Sequence, residues 1–246
     1  MSHVTNIDIE ISNLSALESA IQEMGGTFLR DKKNYTWYGR HVGDYPLPPG
    51  FTKDMLGKCE HAIGLASTDY QIGVVRNPAK PKTYTLLYDF WGPGEKLRSH
   101  FGDGLTKLKQ MYGVHTATAA AKAKGYYVTR KQVGDTIKLQ FAVRNPYAKP
   151  TNTPSGPQPR RPRPHHPYVG SRSRNISHRT TPMHRTIEVT IDPTGAVTVE
   201  ATGFRGGACE QATKEIEEAL GLKKARKKKP EYYALGTTTQ AQRVKA

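Results

Sequence analysis

Residues 157–167 read Pro-Gln-Pro-Arg-Arg-Pro-Arg-Pro-His-His-Pro, and the segment around them, 146–185, decides how the rest of the chain is organised. This segment contains nine prolines and eight Lys/Arg, but no Asp or Glu. Because few of its side chains are apolar, burial cannot offset the entropy that ordering the segment costs. We therefore predict a disordered, basic, proline-rich linker, the tether, between a folded domain over 1–145 and a smaller unit over 186–222.

The net charge of +16 is unevenly distributed along the chain. Residues 1–145 carry +6, the tether +8, residues 186–222 −5, and residues 223–246 +7. We predict that 223–246 is a basic flexible tail, and basic flexible arms are suited to binding a polyanion. Two alternatives stay open: the arms keep the protein soluble, or they fold onto the acidic unit between them.

Composition sets further limits on the class of protein. No run approaches the roughly 18 apolar residues of a membrane span, and the N-terminus lacks the pattern of a secretory signal. The two cysteines, Cys59 and Cys209, lie on opposite sides of the tether, so no disulfide scaffold is implied. We expect a cytoplasmic protein without membrane contact.

The hydrophobic pattern of the first domain alternates between the periods of strands and helices. Alternation predicts strands, and apolar spacings of three and four predict a helix at 14–24 and a helical region from Leu97 that Gly113 divides. The resulting order predicts an α+β fold with a ferredoxin-like, mainly antiparallel sheet and helices on one face. The predicted strands are 3–11, 27–38, 61–67, 70–77, 84–91, 126–132 and 136–143.

After the tether, two alternating strands at 186–192 and 196–200 and a helix at 208–220 predict a ββα unit. The helix has an apolar face that includes Cys209 and Ile216, whereas Glu217 and Glu218 are expected to face water. A unit this small buries too little apolar surface to be stable by itself. We therefore expect it to dock on its own first domain, on a second copy in a homo-oligomer, or on another protein.

Several separated segments of the first domain resemble an uncharacterised plastid and cyanobacterial family, domain of unknown function 1257. The resemblance implies a location in the cytosol or the plastid stroma, and it brings no functional residues with it. The segments that carry it are 1–7, 70–73, 84–91, 108–114 and 124–126.

Residues 186–233 resemble a second family, domain of unknown function 2997. The two families tend to occur together, often beside an AAA-type ATPase, so the resemblance implies an accessory role for the fused chain. The motifs that carry it are 187–189, 198–200, 203–204, 207–209, 212–221 and 230–233.

Cys209 is the candidate reactive thiol, because it follows two glycines at the start of a predicted helix, where the helix dipole lowers a thiol pKa. Its position on the apolar face favours the alternative of a buried structural cysteine. Cys59 and His61 form at most half of a zinc site, and the sequence supplies no second pair. We therefore predict no metal and no cofactor.

Nucleic-acid contact is assigned to the cations of the two basic arms. Because Tyr147 and Tyr168 are the tether's only aromatic residues, phosphate contacts would dominate and binding would be salt-sensitive and tolerant of sequence. The assigned residues are Arg160, Arg161, Arg163, Arg172, Arg174, Arg179, Lys223, Lys224, Arg226, Lys227, Lys228 and Lys229.

Three functions remain in order of preference. The first is a non-catalytic adaptor that binds a protein partner, such as an AAA-type ATPase, while its basic arms contact nucleic acid or another polyanion. The second is a direct, sequence-tolerant RNA- or DNA-binding protein. The third is an enzyme with a thiol or unrecognised site, which is least favoured because the chain has no P-loop, G-x-S-x-G or H-E-x-x-H motif.

Overall fold

The computed structural model describes residues 3–41, 46–142, 185–204 and 208–228, with backbone alone at 3–9, 209 and 222–228. The strands are β1 (His3–Ile9), β2 (Thr27–Leu29), β3 (His61–Leu65), β4 (Thr68–Arg76), β5 (Tyr84–Leu87), β6 (Tyr127–Val133), β7 (Thr136–Ala142), β8 (Thr186–Ile191), β9 (Val197–Thr202) and β10 (Gly221–Lys228). The helices are α1 (Leu14–Glu23), α2 (Glu95–Phe101), α3 (Thr106–Ala123) and α4 (Ala208–Leu220).

Six of these strands form one antiparallel sheet in the order β10-β1-β9-β8-β7-β6. The hairpin β8–β9 that follows the tether therefore lies between β7 and β1 of the first segment, and Ala142 is paired with Thr186. Of the docking alternatives for the ββα unit, the structure shows the one within the same chain. This arrangement gives both edges of the hairpin backbone hydrogen-bond partners that an isolated ββα unit would lack.

Residues 221–228 differ from the sequence prediction. We predicted a flexible tail from Lys223, but the backbone through Lys228 forms β10, which pairs with β1 along its length. The register shifts between Asn6 and Ile7. Without β10, one edge of β1 would present unpaired backbone N–H and C=O groups. These groups form hydrogen bonds with an extended segment, which explains why 221–228 is a strand.

The second sheet has the antiparallel order β2-β3-β4-β5. Two predicted strands here were too long. The strand predicted over 27–38 ends at Leu29, and the strand predicted over 84–91 ends at Leu87. Beyond both ends the chain instead builds the walls of a cleft, described below.

Helix α3 lies between the two sheets and contributes to two cores. Val114, Ala117 and Ala121 pack with α4 on the six-stranded sheet, whereas Leu108 and Tyr112 pack with α1 and α2 on the four-stranded sheet. A third core covers the other face of the four-stranded sheet with residues of the loop 30–60. The predicted break at Gly113 is wrong: the helix is continuous through it, because burial on two sides stabilises the helix beyond what glycine costs.

The α+β class predicted from sequence is confirmed, and a ferredoxin-like arrangement is compatible with the antiparallel pairing. The described strands are divided between two sheets, with helices packed on each. Among the residues that the structure describes, none of the helices is long and apolar enough to cross a membrane.

Candidate functional site

A cleft of about 1090 Å³, here called the aromatic cleft, lies beside the four-stranded sheet. One wall comes from the chain after β2 and the other from the chain after β5 and the start of α2. Its lining residues are Tyr35, Trp37, Tyr38, Arg40, His41, Pro46, Leu47, Pro48, Leu56, Leu86, Leu87, Tyr88, Asp89, Phe90, Trp91, Gly92, Glu95, Arg98, Asp103 and Gly104.

Exposed aromatic side chains are concentrated in this cleft. Trp91 is 65% exposed, Tyr38 47% and Tyr88 38%. The rings form two pairs: Tyr38 meets Trp91 edge-on with ring centroids 4.8 Å apart, and Tyr88 lies 4.4 Å from Phe90. Rings left partly in water forgo part of the free energy that full burial would contribute, and a contiguous exposed apolar patch of this kind is a feature shared by many binding surfaces.

The Asp89 carboxylate fixes the two walls relative to each other. One oxygen accepts the backbone N–H of Trp91 at 2.9 Å, and the other accepts the backbone N–H of Tyr38 at 3.3 Å. Because these bonds take the chain out of the sheet, they explain why β5 ends at Leu87 although its alternation continues. A Cβ on Gly94 would lie 1.9 Å from the carbonyl oxygen of Asp89, so only glycine permits this turn.

The cleft lining also includes a tightly packed, buried ring, that of Tyr35. Tyr35 is buried at 6% exposure, and its ring occupies the space where a Cβ on Gly73 of β4 would lie at 2.4 Å. Burial raises the pKa of Tyr35, so its phenol stays protonated and neutral. This part of the lining is therefore uncharged.

The cleft is weakly acidic overall. Its lining holds Arg40 and Arg98 against Asp89, Glu95 and Asp103, a formal charge of −1 when His41 is neutral. Arg98 lies between two carboxylates, 3.5 Å from Glu95 and 3.2 Å from Asp103. Both carboxylates are well exposed, so each keeps the capacity to accept further hydrogen bonds from a ligand.

A second cavity has about 290 Å³ and lies where β5 meets the start of α3. Lys109 lines it, and burial lowers the pKa of that amine. Lys80 and Glu10, which also line it, form an ion pair with each other. This cavity is below the usual volume of a ligand site, so the aromatic cleft is the stronger candidate.

The residues that we assigned to nucleic-acid binding do not lie in the cleft. Arg160, Arg161, Arg163, Arg172, Arg174, Arg179 and Lys229 lie outside the described residues. Lys223, Lys224, Arg226, Lys227 and Lys228 belong to the backbone of β10. Cys209 is the second residue of α4, described by its backbone alone.

The weak zinc candidate at 59–61 is a structural cluster. The Cys59 thiol donates to the carbonyl of Lys32 at 2.8 Å, and burial raises its pKa to about 11. The His61 Nδ1 atom accepts the backbone N–H of Asp31 at 3.0 Å. Over the described ranges, no group of three or more His, Cys, Asp or Glu side chains is placed to hold a metal ion.

Glu217 corrects a sequence interpretation. We predicted that it faces water, but it is fully buried and accepts a hydrogen bond from Thr213 at 2.7 Å. The prediction assumed that only one stripe of α4 is covered. Instead α4 packs against α3, β9, β1 and β10, so its covered face extends beyond the apolar stripe.

The cleft itself was missed from sequence, because its aromatic residues were assigned to strands. A signal was present: Trp37-Tyr38 and Phe90-Trp91 place large aromatic residues at adjacent positions, which point to opposite faces of a strand. Such pairs at the end of an alternating run are typical of a chain that leaves the sheet.

Comparison with known families identifies the segment after the tether. Residues 187–233 match the family described as Protein of unknown function (DUF2997). The resemblance noted for this segment is thereby confirmed, and the DUF2997 region contains β8, β9, α4 and β10. The resemblance of residues 1–145 to domain of unknown function 1257 stays a prediction. No curated protein and no solved structure gives a significant match to the chain.

Proposed function

We propose that this protein is a non-catalytic adaptor that binds a peptide segment of a protein partner in the aromatic cleft. The observation that carries the proposal is the clustering of Trp91, Tyr38 and Tyr88, all exposed, along one cleft. Tryptophan and tyrosine are the residues that most often dominate binding energy at protein interfaces. The DUF2997 region lies outside the cleft lining and completes the six-stranded sheet.

The size and charge of the cleft favour a peptide over the other ligand classes. A volume of about 1090 Å³ is at the upper end of drug-sized pockets and accommodates several side chains. The negative formal charge disfavours nucleic acid, whose phosphates need cations. Asp89 positions the walls through two backbone N–H groups, whereas the exposed carboxylates of Glu95 and Asp103, which share Arg98, can accept further hydrogen bonds from a peptide.

An AAA-type ATPase is the proposed partner class. This part of the proposal rests on the resemblance of the two segments of the chain to families that occur beside such ATPases. An accessory protein of this kind needs an exposed docking site, and the aromatic cleft meets that need.

The basic strand β10 favours a second candidate function, binding of RNA or DNA. Five of the eight residues in Gly221–Lys228 are Lys or Arg, and β10 is an edge strand of the six-stranded sheet. Contact with phosphate through such a strand would release counterions and fall steeply with salt. This function and the adaptor function are compatible, because β10 and the cleft involve different residues.

Peptide binding is tested by panning a phage library of random 12-residue peptides against the full-length protein. We expect enriched peptides to bind with a Kd on the order of 10–100 µM, and Trp91→Ala to weaken them about tenfold or more. Tyr127→Ala is the matched control, because Tyr127 is 60% exposed but lies on β6, outside the cleft. Peptides that bind wild type and Trp91→Ala equally would contradict the proposal.

The second candidate is tested with a labelled 20-nucleotide single-stranded RNA in a salt series. If β10 contacts phosphate, replacing Lys223, Lys224 and Arg226 by Ser should weaken binding and lower the slope of log K against log salt by about two. An unchanged slope would remove β10 from the RNA contact.

A further inference from the structure

The tether contains a repeat that the adaptor proposal leaves unused. Pro154 and Pro157, Pro159 and Pro162, and Pro164 and Pro167 form three Pro-x-x-Pro motifs, each five residues after the last. Prolines three positions apart lie on one side of a polyproline II helix, which has three residues per turn. A segment with this spacing is the ligand type that aromatic-lined grooves recognise.

We infer that the aromatic cleft binds the chain's own segment 154–167 as a polyproline II ligand, in competition with the peptide of a partner. The inference rests on the proposed function, since it names the class of peptide that the cleft takes: proline-rich and arginine-bearing. It also gives the tether a regulatory role.

The geometry of the cleft fits such a ligand. Proline-rich peptides dock their rings between aromatic side chains, and the cleft presents two ring pairs, Tyr38 with Trp91 and Tyr88 with Phe90. Because polyproline II has no internal hydrogen bonds and is already extended, little entropy is lost when it binds. The exposed ring pairs of the cleft can therefore contact the prolines of a ligand that is already extended before it binds.

Charge complementarity selects this segment over a neutral proline-rich one. Arg160, Arg161 and Arg163 lie within the repeats, and 154–167 holds no acidic residue. The cleft offers Glu95 and Asp103, whose carboxylates are 59% and 79% exposed. A guanidinium that replaces or joins Arg98 at these carboxylates would form charge-assisted hydrogen bonds.

The tether is long enough to reach the cleft of its own chain. The strands on either side of the tether, β7 and β8, are paired at Ala142 and Thr186. Ala142 also pairs with Tyr127, which follows the C-terminal end of α3 closely. The cleft lies at the other end of that helix, which begins at Thr106, and 18 residues of helix span about 27 Å. Twelve residues from 142 to 154 extend to about 37 Å, and the return from 167 to 185 to about 56 Å.

Docking within one chain makes the segment a strong competitor. A short tethered ligand has an effective concentration of about 1 mM at its own site. If the untethered segment binds the cleft with a Kd of about 10–100 µM, an effective concentration of about 1 mM weakens the apparent affinity of a partner peptide about 10- to 100-fold.

The chain's two tryptophans, Trp37 and Trp91, both line the cleft, so fluorescence reports its occupancy directly. The experiment uses full-length protein with Trp37→Phe, in which Trp91 is the only tryptophan. In the tether variant, the six prolines of the three motifs are replaced by alanine. In the matched control, Pro146, Pro150 and Pro182 are replaced instead, because they lie in the tether but outside the motifs.

We expect acrylamide to quench Trp91 about twofold more efficiently in the tether variant than in the unmodified tether or the control. A synthetic peptide of residues 154–168 should restore protection to the tether variant, and should need about tenfold higher concentration to bind protein with the intact tether. Equal quenching in all three proteins would overturn the inference. Protection that rises with protein concentration from 1 to 100 µM would assign the segment to a second copy and overturn docking within one chain.

A 20-nucleotide RNA that protects Trp91 more strongly than the peptide would also overturn the inference, since the cleft would then take bases. Failure of the inference is distinguishable from failure of the proposed function. If library peptides depend on Trp91 while the tether variant and wild type are quenched alike, the adaptor site stands and the tether is not its ligand. If library peptides bind independently of Trp91 and the tether variant is also quenched like wild type, both proposals fail.

Discussion

The phenol oxygen of Tyr112 lies 3.0 Å from the backbone nitrogen of Ser12, although the two residues are 100 positions apart. The same oxygen accepts the N–H of Asn13 at 3.1 Å and donates to the carbonyl of Glu10 at 3.2 Å. Tyr112 is fully buried, so this one hydroxyl joins α3 to the connection between β1 and α1. The hydroxyl therefore ties the end of β1 in the six-stranded sheet to the core of the four-stranded sheet.

Tyr112→Phe should destabilise the protein by about 2 kcal/mol. The substitution keeps the shape of the ring but leaves two backbone N–H groups near Ser12 without their partner, and such a loss costs about 1–3 kcal/mol. Urea unfolding followed by circular dichroism measures the change. Tyr38→Phe is the control, because Tyr38 is 47% exposed and its hydroxyl should contribute within about 0.5 kcal/mol. Equal stabilities of the two variants would contradict the role of Tyr112.

Gly94→Ala should deform the aromatic cleft. The backbone of Gly94 is helical, with φ −68°, so alanine is allowed there, but its Cβ would lie 1.9 Å from the carbonyl oxygen of Asp89. Relieving that overlap should cost about 1–3 kcal/mol and displace the turn that carries Trp91. The change is measured by urea unfolding and by the emission wavelength of Trp91 in the Trp37→Phe background.

Gly64→Ala is the matched control for this clash. The nearest side-chain atom to a Cβ on Gly64 of β3 is 3.7 Å away, on Leu29, which is an ordinary contact. The control should leave the emission of Trp91 unchanged. If Gly94→Ala also leaves both emission and stability unchanged, the turn from Asp89 to Gly94 does not shape the cleft as described.

The hairpin of the second segment could be predicted closely, because its hydrophobic residues strictly alternate, whereas β10 and the burial of Glu217 could not. Ile187, Val189 and Ile191 are fully buried on one face of β8, so period-two hydrophobicity was a direct record of burial. The bounds of α4 followed from a different signal, apolar residues spaced along one face of a helix. The place of the hairpin between β7 and β1 could not be predicted, because pairing between residues 44 or more positions apart leaves no local pattern.

The alternation of β5 gave a wrong prediction for the cleft wall, because a tertiary hydrogen bond overrides the local pattern there. Tyr84, Leu86 and Tyr88 continue a strand alternation, but the Asp89 carboxylate takes two backbone N–H groups and turns the chain away. Gly113 shows the opposite case. A residue that usually interrupts helices lies inside α3, because packing on both sides of the helix outweighs its propensity.

The stability contributed by Glu23 should depend on pH. Glu23 of α1 accepts from Arg130 of β6 and pairs with His115 of α3, each at 2.7 Å. Burial by itself raises the pKa of Glu23, but the hydrogen bonds and charges of Arg130 and His115 outweigh it and lower the pKa. A lowered pKa in the folded state means that the stabilisation is present above the unfolded value near 4.5 and is lost as pH falls through the folded value.

Glu23→Gln should therefore be less stable than wild type at pH 7, with the difference vanishing towards pH 3. Because the Glu23 side chain is 42% exposed, the difference should be at most about 1 kcal/mol. Urea unfolding of both proteins between pH 3 and pH 7 measures it. A difference in unfolding free energy that grows as pH falls would contradict a lowered pKa of Glu23 in the folded protein.

Cys59 should be an unreactive thiol at neutral pH. Burial raises its pKa to about 11, and the thiolate is the reactive species, so the thiolate fraction at pH 8 is about 100-fold smaller than that of a free cysteine. In Cys209→Ser protein, which keeps Cys59 as its single cysteine, reaction with a disulfide reagent should be slower than free cysteine by about that factor. The rate should rise about tenfold per pH unit between pH 8 and pH 10, provided that the fold persists by circular dichroism. The reverse variant, Cys59→Ser, keeps Cys209 as its single cysteine. Fast reaction of this variant would identify Cys209 as a reactive thiol, and slow reaction would identify it as a buried structural cysteine. A Cys59 that reacts as fast as free cysteine at pH 8 would contradict its burial against Lys32.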